Sequence, residues 1–124
     1  MKARISAFVV VGVILAASTA RAHHSGTNFE TKRITLTGTL AKLDWRNPHI
    51  EFSLDGKGDK GQAESWLIES QTPNFFAIRK VGKVDFQNAI GQTVTVEVSP
   101  DKDGSRFGQL RKITFPNGTM VVTR

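Results

Sequence analysis

The stretch Ile34-Thr35-Leu36-Thr37-Gly38-Thr39-Leu40-Ala41-Lys42-Leu43-Asp44-Trp45 decides the fold. Its first seven residues alternate apolar and polar, the period of a half-buried strand. The phase then slips, because Leu40, Leu43 and Trp45 cannot all share one face of a regular strand. One extra residue in a bulge restores the pattern and bends the strand sharply. A strand bent in this way can serve both halves of a closed sheet and leaves fewer open edges.

The rest of the chain fits around that strand. Asn47-Pro48 breaks it. His49 to Leu54 alternates again with Ile50, Phe52 and Leu54 inward, and the glycine-rich Asp55 to Gly61 turns the chain into a hairpin partner, Ala63 to Glu69. Thr72 is placed to cap a helix and Pro73 suits its first position. Phe75, Phe76, Ala77, Ile78 and Val81 give that helix an apolar side, and Gly82 stands where a left-handed stop is expected. After Gly91, Thr93 to Val98 reads as a strand, Ser99 to Gly104 as a turn and Leu110 to Phe115 as another strand. Asn117-Gly118 is a hairpin signal leading into Met120-Val121-Val122. This order predicts a mainly β chain: a small OB-like barrel of five or six strands with one short helix between strands 3 and 4. A β-sandwich with an incidental helix is the alternative.

A length of 124 residues allows one ordinary domain. The hydrophobic fraction of 39% and charged fraction of 23% exclude both a disordered tail and a polytopic membrane protein. The absence of Cys excludes disulfides, thiolate metal sites and thiol catalysis. Residues 1–22 have the three parts of a secretory signal: Lys2 and Arg4 at the start, an apolar run from Ile5 to Ala17, and Ala20-Arg21-Ala22 before a cut. That run is shorter than the roughly 20 apolar residues a span requires. The expected organisation is therefore a signal peptide over 1–22 and a single β-rich domain over 23–124, exported to the periplasm with no membrane span after cleavage. The whole chain carries a net charge of +6; losing Lys2, Arg4 and Arg21 leaves 14 basic against 11 acidic residues, or +3. Export and so modest a charge argue against nucleic acid as the partner.

The three histidines are the most informative chemical feature. A cut after Ala22 leaves His23-His24-Ser25 as the mature start. An N-terminal His offers its α-amine and its Nδ1 to one ion as a chelate, and a second imidazole completes a T-shaped site of three nitrogens. Nitrogen ligands in a tetragonal arrangement suit Cu(II), which also stands highest in divalent affinity. His24 and His49 are the candidates for the further imidazole; His49 follows Asn47-Pro48 at the mouth of the second strand. Copper or another divalent ion is the expected cofactor. The competing assignments are a solvated terminus for His23 and His24 and a hydrogen-bonded structural role for His49.

Other patterns carry less. Asp101-Lys102-Asp103-Gly104-Ser105 starts like a calcium loop, yet Arg106 and Lys112 stand where that loop needs Gly and Glu. Glu64 and Glu69 lie five apart on one strand and so on opposite faces. Gly-x-Ser-x-Gly and phosphate-binding glycine loops are absent. With no nucleophile–base set, the chain reads as a binding protein and not an enzyme. Arg46, Arg106, Arg111 and Lys112, with Trp45, Phe52, Trp66 and Phe107, are the materials of a basic, aromatic groove on an OB-like face. Trp45, Arg46 and Trp66 are its leading ligand-binding candidates, for a peptide, sugar or other small molecule; the same rings otherwise fill the barrel.

His23-His24-Ser25, Phe29, Leu36-Thr37-Gly38-Thr39, Trp45-x-Asn47-Pro48-His49, Trp66-Leu67-Ile68-Glu69, Thr72-Pro73-Asn74 and Pro100-x-x-Asp103-Gly104-Ser105 together resemble a family of short exported bacterial proteins of unknown function. The resemblance spans nearly the whole mature chain and implies a periplasmic β-rich domain without supplying an activity. Where that family carries Gly-Trp after the helix, this chain has Gly82-Lys83. A looser likeness, at the terminus alone, is to exported copper proteins that begin with His, such as lytic polysaccharide monooxygenases and periplasmic copper-resistance carriers. It implies only the chelate at His23 and, through it, His49. Mass spectrometry of the exported protein is expected to find a chain starting at His23; a chain still starting at Met1 would contradict the cleavage.

Overall fold

The computed structural model describes residues 28–123. The predicted first strand is β1, Ile34–Asp44. It pairs antiparallel with β2, Glu51–Lys57, on one edge and with β4, Thr93–Pro100, on the other. The expected bulge is present: the β1–β2 register slips between Leu40 and Leu43. Leu40 is buried, while Leu43 and Trp45 pack against the core from beyond the slip. Gly38 sits where β1 presses on β2; a Cβ there would collide with the carbonyl oxygen of Asp55.

β3, Ala63–Glu69, pairs antiparallel with β2. β5, Phe107–Thr114, pairs antiparallel with β4, and its first residues run parallel to β3, Leu67 to Phe107 and Glu69 to Gln109. That parallel contact closes a five-stranded mixed barrel in the order β1-β2-β3-β5-β4. The far half of β5 instead carries a sixth strand, β6, Met120–Val122. The OB-like barrel is therefore the architecture, and the sandwich is not.

The connection between β3 and β4 differs from the expectation. Thr72 caps a helix, its Oγ1 accepting from the Phe75 N–H at 3.2 Å, and Pro73 begins it. That helix, α1, ends at Ile78, and a second, α2, spans Lys83–Ala89. The left-handed residue is Lys80, at φ 59°, and Gly82 is extended and starts α2. The Gly82 N–H donates to Asp85 Oδ2 at 2.7 Å. The break has a geometric cause. Phe76, Val81 and Phe86 are all buried, yet residues five apart on a continuous helix point roughly 140° apart. Only a broken helix lets all three face the end of the barrel.

Phe86 is the hub of the core. Its ring lies 5.2 Å from Phe76, 5.1 Å from Phe115 and 5.4 Å from Trp45, each edge to face, and 6.0 Å from Phe52. The two short helices thus plug one end of the barrel with aromatic edges meeting aromatic faces, a geometry that stabilises beyond area burial alone. Among the described residues no helix is long and apolar enough to cross a membrane. Phe86→Ala is expected to cost about 3–5 kcal/mol in urea unfolding. Exposed Val84→Ala, on the same helix, should stay within about 0.5 kcal/mol. Equal losses would contradict this placement of α2.

Candidate functional site

Asn47-Pro48-His49 turns the chain from the bent end of β1 into β2, and its Asn47–Pro48 peptide is cis. The corner is tied to the end of β3 on both sides. The Ile50 N–H donates to the Gln71 carbonyl at 3.0 Å, and the Ser70 N–H donates to the Ile50 carbonyl at 2.7 Å. Ile50 points into the core, so the strand alternation turns His49 to the outer surface. Glu51 and Glu69 are cross-strand neighbours in the β2–β3 register and share that outer face.

His49 Nδ1 lies 3.4 Å from Glu69 Oε1; the His49 side chain is 39% exposed and that of Glu69 only 7%. A carboxylate buried to this degree persists only where partners meet its charge, and His49 is one of them. The contact also sorts the two imidazole nitrogens. A proton on Nδ1, the nitrogen beside Glu69, would leave the Nε2 lone pair as the one available to a ligand or metal. Around them Arg46 Nε lies 3.0 Å from Asp44 Oδ2, and Arg46 Nη2 lies 3.7 Å from Glu51 Oε2. Arg46, Asn47, Pro48, His49, Glu51 and Glu69 line an open cleft of about 320 Å³.

The other expected site residues fall in different places. His23 and His24 lie outside the described residues. Trp45 is turned inward against Phe76 and Phe86. Trp66 stands opposite core residue Leu54 and packs against the core, its Nε1 buried without a hydrogen-bond partner. Phe52 is fully in the core. Arg106 pairs with Glu64 at 3.1 Å, Lys112 with Glu97 at 3.4 Å, and Arg111 Nε donates to Ser99 Oγ at 2.8 Å. Each of these three bases is thus engaged by a side chain on a neighbouring strand or loop of the barrel. Asp101 to Ser105 is a turn held by its own side chains: Asp101 Oδ1 accepts from the Asp103 N–H and Asp103 Oδ1 from the Ser105 N–H.

Among the described residues no group of three or more His, Asp or Glu side chains is gathered for a metal ion. The histidine among the described residues, His49, has one buried carboxylate, Glu69, beside it. A wider cleft of about 450 Å³ lies between α2 and the β5–β6 turn, with Lys80, Asp85, Asn88 and Phe115 in its lining, and it holds no histidine.

A family profile matches residues 10–111. The chain belongs to DUF6152, a family of unknown function. Neither a curated protein nor a solved structure matches it. The span shared with DUF6152 covers the Asn-Pro-His corner, Glu69 and the barrel-closing part of β5, and it ends before β6.

The residue missed by sequence reading is Glu69. Its position at the end of an alternating strand was visible, but its place under His49 follows from the β2–β3 register. His49→Ala is expected to lower stability by about 1–3 kcal/mol, because the buried Glu69 carboxylate loses a partner. Arg46→Ala removes an exposed pair and should change stability by no more than about 1 kcal/mol. Urea unfolding of both variants measures the difference; a His49 effect no larger than that of Arg46 would contradict the His49–Glu69 contact.

Proposed function

We propose that this protein is an exported, periplasmic binding or carrier protein for a divalent metal ion, Cu(II) foremost, and not an enzyme. The ion is held by the α-amine and imidazole of His23 after cleavage at Ala22, with His49, or His24 beside it, supplying the further imidazole. The observation that carries this reading is the pairing of His49 Nδ1 with the buried Glu69 carboxylate. Metal-binding histidines characteristically direct their second nitrogen at a carboxylate, which fixes the tautomer and raises the basicity of the ligating nitrogen. His49 lies 3.4 Å from such a carboxylate and lines an open cleft, which supports this reading. Copper fits the donor set because an amine and two imidazoles are nitrogen ligands of the kind that Cu(II) takes in a plane.

The alternative, a metal-independent module for a peptide or sugar built on Trp45, Arg46 and Trp66, has less support, since both indoles pack against the core.

Copper titration of the correctly processed protein tests the reading. Affinity is expected to fall at least about tenfold when Ala-His is added before His23 or when His49 is replaced by Gln, and about 10- to 100-fold for Glu69→Gln. Unchanged affinity and spectra in all three proteins would remove the proposed site. Circular dichroism confirms that each variant is folded.

A further inference from the structure

The cleft of about 450 Å³ between α2 and the β5–β6 turn shares no residue with the His49 corner. Its volume is of the size that small-molecule sites have, roughly 300–1,000 Å³. The buried part of its lining is apolar: Val81, Ala89 and Phe115 all belong to the core. The exposed part is polar. Asp85 and Asn88 stand three apart on α2 and share a face, Gln92 follows them, and Asn117 comes from the turn. Hydrogen bonds already made decide what these side chains have left for a ligand. Asn117 Oδ1 accepts from the Thr119 N–H at 2.9 Å, which leaves the amide NH2. Gln92 Nε2 donates to the Asn88 carbonyl at 2.6 Å, which leaves Oε1, and Asp85 Oδ2 accepts from Gly82, which leaves Oδ1. The Asn88 carboxamide has no partner among the described residues and can both donate and accept.

Lys80 completes the lining, on a strained backbone. α1 closes with two hydrogen bonds, from the Val81 N–H to the Phe76 carbonyl at 3.0 Å and from the Lys80 N–H to the Ala77 carbonyl at 2.9 Å. This closure needs a left-handed residue, ordinarily glycine, and Lys80 supplies it at φ 59°. A side chain costs stability there that glycine does not. Strain of this kind beside a cleft points to a use for the side chain. Among the described residues the Lys80 ammonium forms no ion pair, although Asp85 lines the same cleft.

We propose that this cleft binds a neutral saccharide unit. One ammonium and one carboxylate leave the lining without net charge, so it selects neither a cation nor an anion. Donors and acceptors stand side by side, Lys80 and the Asn117 NH2 with Gln92 Oε1 and Asp85 Oδ1, and Asn88 serves as both. Hydroxyl groups, which donate and accept at once, match that mixture. The C–H face of a sugar ring meets the apolar side formed by Val81, Ala89 and Phe115. The inference is independent of the metal reading, since none of these residues belongs to the His49 corner.

The side-chain amide signals of Asn88, Gln92 and Asn117 in a nitrogen–proton correlation spectrum read the binding directly. Glucose, N-acetylglucosamine and maltose are the probes, and sodium glutamate is the charged control. At least one sugar is expected to shift these signals saturably, and glutamate to leave them in place. Asn88→Ala should weaken that binding at least about tenfold. Lys80→Gly should weaken it at least about threefold and yet raise the urea midpoint of unfolding, because it relieves the left-handed backbone. Both positions are exposed, so neither substitution opens the core. Shifts with none of the sugars, or with glutamate alone, overturn the proposal. Sugar binding that both substitutions leave unchanged lies elsewhere on the molecule and overturns it as well.

Discussion

Parallel pairing of β3 with β5 is the constraint on which the molecule depends. Without it, β3-β2-β1-β4-β5 is an open, twisted sheet with two exposed edges, one of them β3. With it, the edges meet and the interior becomes a closed volume. The Leu40–Leu43 bulge bends β1 enough for the closure to be reached. The two short helices then seal one end with Phe76 and Phe86. Each of these features is required by the others: a flat β1 would hold the edges apart, and an unsealed barrel would leave Phe52 and Phe115 in water.

The same closure creates the candidate site. Glu69 is the last residue of β3, flanked by Glu51 of β2 and by Gln109 of β5. A carboxylate at the edge of an open sheet would be solvated. At this seam it is buried, with His49, carried by the Asn47-Pro48 corner, 3.4 Å away. The carboxylate beside the imidazole is therefore also a residue of the barrel seam.

Much of this was legible in the residues. The phase slip between Leu40 and Trp45 announced the bulge, Thr72-Pro73 announced the start of α1, and Asn117-Gly118 announced the last hairpin. The division of the helical segment was not legible. Lys83–Ala89 offers only Phe86 and Ala89 as an apolar side, too little periodicity in seven residues to separate a helix from a connection. The tryptophans read equally as binding residues or as core, and the choice depended on which way the barrel curves. Glu69 was hidden for a different reason: a charged residue at a strand end is ordinarily solvated, and its burial arises from pairings with residues 18 and 40 positions away. His23 and His24 were conspicuous in the sequence, since the chemistry proposed for them depends on being first in a processed chain and owes nothing to secondary structure.

The central claim is that one ion joins the mature terminus to the corner of the barrel. Pulsed electron paramagnetic resonance of the Cu(II)-loaded processed protein, with histidine nitrogen isotopically labelled, counts the imidazoles on the metal and identifies them by substitution. The account predicts two imidazoles, one of which disappears in His49→Gln. A count that His49→Gln leaves unchanged would contradict it.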